Sequence, residues 1–169
     1  MPHQPTEIPA PRAPSEPIET ERVIVHVDDP FVAEVDVADL TRMLLGALAA
    51  EGRPDAEVTL VITDDAAVAA LNEQYRGVAG PTDVLAFAAQ EPTPGFVSAP
   101  EAAAYLGDIV IALPVARRQA AELGRPLAAE LRLLAVHGVL HLLGYDHADP
   151  EEEAVMWARQ ELILSQAAL

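Results

Sequence analysis

The sequence predicts an α+β fold: a small mixed β-sheet with helices packed on one side of it, and one central helix carrying a cluster of histidines. Two observations predict this class. Short β-branched runs and stretches of helical periodicity follow one another as strand, helix, strand, helix, two strands and three helices. A chain of 169 residues, 51% of them hydrophobic, is long and apolar enough for one domain with a substantial core. No internal repeat breaks the progression.

Residues 1–20 are rich in Pro and Glu and lack the apolar content of a packed element. They read as a disordered acidic tail ahead of one domain over residues 21–169. Val23 to Val27 is a short strand, ended by Asp28-Asp29-Pro30. Val37, Leu40, Leu44 and Leu48 recur at helical spacing, with Asp36 as N-cap and Gly52 as the stop. Glu57 to Thr63 is a second strand. Asp64 caps a helix in which Val68, Leu71 and Tyr75 share one face, and Gly77 ends it.

Asp83 to Phe87 and Leu106 to Leu113 are the remaining strands. Between them, residues 90–103 hold Pro92, Pro94, Gly95 and Pro100 and form a long loop of the kind that lies over a site. Pro114 begins a helix running to Gly124, and Pro126 opens the next. That helix is apolar nearly all round from Leu131 to Leu143, as befits a buried central helix. Gly144 suits the left-handed position that ends it. Asp149-Pro150 with Glu152 then starts a final helix reaching about Gln166, with Glu151 to Glu153 as favourable N-terminal charges.

Bulk chemistry narrows the function classes. No run is long and apolar enough for a membrane span. The first residues show neither the basic flank nor the apolar stretch of a secretory signal, so the expected location is the cytoplasm. The absence of Cys leaves His, Asp and Glu as the strong metal ligands. Net charge is −17, and every basic residue is an arginine. Such a surface repels polyanions at long range and argues against non-specific nucleic-acid binding. A polyanion held at a local cationic site, or brought by a basic partner, remains compatible with it.

Three of the five histidines fall in His137-Gly138-Val139-Leu140-His141-Leu142-Leu143-Gly144-Tyr145-Asp146-His147. Two imidazoles four positions apart on a helix leave one face, with Cβ atoms about 5–6 Å apart. A third beyond a glycine turn can complete a three-nitrogen set with an open position, the mark of catalytic zinc. The spacing matches the metzincin signature, hence a zincin-like central helix. In those proteases the residue after the first His is the Glu that acts as general base; here it is Gly138. Zinc on three neutral imidazoles can still activate water near neutral pH without a carboxylate base. Arg76, able to grip a phosphate through two parallel N–H donors, and Asp146, able to orient a ligating imidazole, are the natural helpers. A structural zinc completed by Asp146 or Glu152 is the plainer alternative, disfavoured because structural sites prefer thiolates.

With these residues in view, the chain resembles the YbeY endoribonuclease (ribosomal RNA maturation factor) family. The histidine block looks like that family's signature. So do Leu71-Asn72 with Tyr75-Arg76-Gly77 and Pro81-Thr82-Asp83-Val84-Leu85, then Phe87, and a third block, Leu106-Gly107-Asp108-Ile109-Val110-Ile111. The resemblance implies a zinc-dependent, single-strand-selective endoribonuclease acting in maturation of the 3′ end of small-subunit ribosomal RNA and in ribosome quality control. It implies one Zn2+ per chain on His137, His141 and His147, with Arg76 and His137 as catalytic residues. Implied partners are single-stranded or ribosomal RNA and ribosomal particles or basic ribosomal proteins, with no membrane. Two departures stand out. Val78, Ala79 and Gly80 occupy the place of a usual Lys-Asp pair, and Ala86 that of a common Ser. Both remove polar contacts from the substrate side.

Two rivals follow from the same residues. A metalloprotease fits the histidine spacing but lacks its base; a non-enzymatic, zinc-stabilised ribosome assembly factor needs the metal alone. Water and the ribose 2′-hydroxyl both fit as nucleophile. Elsewhere the bland readings lead: Arg117-Arg118 as a solvated face, His26 as structural, and Met156 and Trp157 as core contacts. Asp83 either fixes a turn or orders Arg76, and Asp108 is ambiguous.

Overall fold

The computed structural model describes residues 22–89 and 104–167, and these residues run through four strands and five α-helices. These are β1 (Val23–Val27), α1 (Val37–Ala50), β2 (Glu57–Thr63), α2 (Asp65–Arg76), β3 (Val84–Ala88) and β4 (Tyr105–Ala112), then α3 (Leu113–Glu122), α4 (Leu127–Leu142) and α5 (Pro150–Ala167). A short 3-10 helix over Asp29–Glu34, which periodicity does not announce, follows β1. The N-terminal tail and the 90–103 loop lie outside the described residues.

Helix starts follow local chemistry. Asp36 accepts from the Asp39 amide at 3.0 Å, and Asp64 from the Ala67 amide at 2.8 Å. Each satisfies one of the orphan donors of a first turn. Asp149 accepts from the Glu152 amide at 2.9 Å and starts α5 with Pro150 in its first turn.

The sheet order is β1-β2-β4-β3. The β1–β2 and β2–β4 pairs are parallel and β3–β4 is antiparallel, so the sheet is mixed and β3 is an edge strand. Val58, Leu60 and Ile62 of β2 join Ile109 and Ile111 of β4 in a large core under α1, α4 and α5. Alternation turns Val61, Val110, Leu85 and Phe87 to the other face, where α2 supplies Val68 and Leu71. Helices on one side only is therefore corrected. The unbroken apolar run Ile109-Val110-Ile111-Ala112 needs cover on both faces, and α2 provides the second.

The central helix is α4, with Leu131, Leu134, Ala135, Val136, Val139 and Leu140 buried. It comes so close to the sheet that a Cβ on Gly138 would sit 2.6 Å from Ile109 Cγ2. One side chain departs from the sequence reading. Trp157 is 58% exposed, because the buried stripe of α5 runs through its neighbour Met156 and through Ile163 instead. His26 lies exposed on edge strand β1, 3.4 Å from Asp28. Tyr75, at the end of the stripe begun by Val68, is 62% exposed.

Candidate metal centre

His137 and His141 leave the same face of α4, one turn apart, and their Nε2 atoms stand 3.1 Å from each other. The helix then stops within two residues. Gly144 takes φ 99°, its amide bonds to the His141 carbonyl, and the Tyr145 amide reaches back to the Leu140 carbonyl, each at 3.0 Å. This pair of reversed bonds is a Schellman ending, which a residue with a Cβ adopts only under strain. The turn returns the chain toward the helix, and Asp146 braces it by accepting from the His147 amide at 2.7 Å.

The result is convergence. Ring centroids lie 4.6 Å apart for His137 and His141, 5.1 Å for His141 and His147, and 5.8 Å for His137 and His147. One nitrogen from each ring falls within 4.8 Å of the others, a group that could hold a metal ion.

Protonation favours the same use. His137 Nδ1 is 3.0 Å from Gln160 Oε1, an acceptor, so Nδ1 carries the proton and Nε2 presents its lone pair. Burial holds the His137 imidazolium below its usual range against the opposing hydrogen bond from Gln160; the nearby His147 adds to the lowering, and Asp83 opposes it. Burial likewise lowers His141, with His137 and His147 adding to it. Both rings are thereby kept neutral near pH 7, the form that ligates a metal. Gln160, on α5, was not singled out in the sequence. Asp146, proposed for this orienting task, instead serves the backbone of its own turn.

The three rings line a hollow of about 610 Å³ whose opposite wall comes from the end of α2 and the start of β3: Arg76, Thr82, Asp83 and Ala86. Arg76 reaches it because Gly77, at φ 67°, ends α2 there. Most other arginines are neutralised at home. Arg117 grips Glu34 through two oxygens at 2.6 and 2.7 Å, and Arg118 pairs with Asp65 at 3.0 Å. Both lie on an exposed face, as the sequence suggests, and each has a carboxylate partner there. Arg125, Arg132 and Arg159 are similarly paired with Glu130, Asp39 and Glu51. Arg76 has no such carboxylate partner among the described residues. Asp83 forms no ion pair with it. Its Oδ1 accepts from the Val84 amide at 2.8 Å and from Thr82 Oγ1 at 3.3 Å, which is the turn-fixing role.

A second brace reaches the histidine turn from behind. Tyr145 donates to Glu51 Oε2 at 2.8 Å, and Arg159 holds Glu51 Oε1 at 2.7 Å. Tyr145 and Glu51 are 94 positions apart, so no local pattern announces the contact.

Comparisons with known proteins agree on one relationship. A family model described as Endoribonuclease YbeY matches residues 26–168. Curated relatives named Endoribonuclease YbeY include that of Moorella thermoacetica, 51% identical over 141 residues, which span 82% of this chain and 90% of that protein. That of Geobacillus kaustophilus is 44% identical over 154 residues, spanning 86% of this chain and 97% of the relative. The solution structure of TM1509 from Thermotoga maritima shares the fold, with a TM-score of 0.58 at 22% identity over 86% of this chain and 88% of that one.

Proposed function

The chain belongs to the YbeY endoribonuclease family, and on that premise we propose that it is a zinc-dependent endoribonuclease that cuts single-stranded RNA. Its place is the maturation of the 3′ end of small-subunit ribosomal RNA and ribosome quality control. The observation that carries this reading is one hollow lined by three convergent imidazole nitrogens and by an arginine with no ion-pair partner among the described residues.

His137, His141 and His147 would hold the zinc. Three neutral nitrogens without a thiolate form the donor set of catalytic zinc sites rather than structural ones. When bound, the ion supplies Lewis acidity to a phosphoryl oxygen and to a nucleophile at neutral pH. Gln160 keeps the proton of His137 on Nδ1 and so directs Nε2 into the hollow. Arg76 grips the scissile phosphate and offsets the charge that builds on it in the transition state. Gly138 counts against a protease: it supplies no general base, and a Cβ there would sit 2.6 Å from Ile109 Cγ2. No described helix is long and apolar enough to cross a membrane; we place the protein in the cytoplasm. The −17 charge supports docking on basic ribosomal proteins.

Zinc analysis of the purified protein, joined to a single-stranded RNA cleavage assay, tests the reading. Wild-type protein is expected to carry about one zinc per chain and to cut. Arg76→Ala should keep the metal and lose at least about a hundredfold in cleavage rate, the scale of one transition-state donor. Arg76→Ala that leaves ribosomal RNA maturation untouched would favour the assembly-factor reading. Cut ends bearing a 2′,3′-cyclic phosphate would identify the ribose hydroxyl as nucleophile.

A further inference from the structure

We propose that Tyr75 is a stacking platform for an unpaired nucleobase of the RNA strand held at Arg76; the inference rests on the nuclease reading above. Tyr75 continues the Val68 and Leu71 stripe of α2, yet it is 62% exposed while Val68 is fully buried. Its ring is not loose. It meets Phe87 edge to face, with centroids 5.2 Å apart and planes at 61°. Such a contact fixes an aromatic ring and leaves its remaining surface for another partner.

Position ties this ring to the hollow. Tyr75 directly precedes Arg76, and Phe87 directly follows Ala86; Arg76 and Ala86 both line the hollow. The aromatic pair therefore adjoins the wall in sequence on both α2 and β3, with Phe87 turned to the sheet face opposite Ala86, across the edge strand from the hollow. Because β3 is the edge strand, an RNA chain leaving the hollow across this rim passes Tyr75. Neighbouring Cα atoms are about 3.8 Å apart, so a strand whose phosphate sits on Arg76 has Tyr75 within a few nucleotides of it. Trp157, the other exposed aromatic among the described residues, neither lines the hollow nor adjoins a residue that does.

Charge gives the physical reason for such a platform. With a net charge of −17, this chain has little long-range attraction for RNA. The loop after Arg76 adds no cation: Val78, 52% exposed, is followed by Ala79 and Gly80. Base-aromatic stacking draws on the π-face and not on phosphate charge, and every base has that face. In a duplex both faces of a base are covered by its neighbours. A platform of this kind therefore accepts single strands and rejects paired ones.

The test uses the full chain loaded with zinc and a short single-stranded RNA that it cuts, with Tyr75→Ala, Tyr75→Leu and Tyr75→Phe. A parallel set of oligonucleotides carries one abasic nucleotide at successive positions around the cut. Tyr75→Ala and Tyr75→Leu are expected to raise KM about tenfold with little change in kcat, and Tyr75→Phe to recover most of that loss. Leu keeps apolar bulk against Phe87, so a loss shared by Ala and Leu is not a folding defect. One abasic position should raise the wild-type KM by a similar factor and add nothing to Tyr75→Ala. A wild-type KM in Tyr75→Ala, or an abasic penalty equal in both proteins, overturns the platform alone. A zinc-loaded wild type that neither binds nor cuts RNA overturns it together with the nuclease reading.

Discussion

His137 is fixed through the nitrogen that faces away from the hollow. Its Nδ1 proton is committed to Gln160, so the orientation of Nε2 depends on a side chain of α5, 23 positions along the chain. Partners of this kind typically change metal affinity by about 10- to 100-fold when removed. Gln160→Leu is accordingly expected to weaken zinc binding by about that factor while leaving one site per chain, read by competition with a chromogenic chelator. His141→Ala should lose stoichiometric zinc altogether; retention at wild-type affinity would contradict the proposed ligand set. Arg76 is unpaired among the described residues, whereas Arg117, Arg118, Arg132 and Arg159 each meet a carboxylate.

Among the elements, α4 is the one on which site and core both depend. It is anchored to α1 by Arg132, whose Nε and Nη2 meet Asp39 at 2.6 and 2.8 Å. The guanidinium hydrogen bond holds the Asp39 carboxyl below its usual range, against the desolvation that opposes it. A carboxylate with a lowered folded-state pKa contributes stability that is fully present above its unfolded value, near 3.8, and is lost as pH falls through the folded one. Asp39→Asn should therefore cost about 1–2 kcal/mol in urea unfolding at pH 7. The gap from wild type should close as pH drops below that value; a gap independent of pH would dissociate the pair from stability. The turn after α4 has its own anchor in Tyr145, Glu51 and Arg159, joining α1 and α5 behind His147.

Over the whole molecule acid is in large excess, and the hollow sets Arg76, which has no carboxylate partner among the described residues, with three histidines, Asp83 and Asp146. If the acidic surface docks on basic ribosomal proteins, co-sedimentation with ribosomes should fall steeply between about 0.05 and 0.3 M salt, as the Debye length shrinks. Binding indifferent to salt would remove charge from that contact.

The parts of this design that are local were legible in the chain. Strand and helix order, the caps at Asp36, Asp64 and Asp149, and the glycine ending at Gly144 all depend on residues within a turn of one another. The i, i+4 pair of histidines and the third beyond the glycine belong to the same class. Periodicity names the face a residue lies on but not what covers that face. That is why Trp157 reads as core and is exposed, why Tyr75 shares a face with Val68 yet lies open, why α2 sits on the side of the sheet not assigned to it, and why Arg117 and Arg118 find carboxylates on other elements. Gln160 beside His137 and Glu51 beneath Tyr145 belong to tertiary structure alone, since each joins groups brought together only when α1, α4 and α5 close on the sheet. The sequence by itself determined which side chains could share a metal and grip a phosphate; the packing of helices decided which stay neutral, which way they face and what stands beside them.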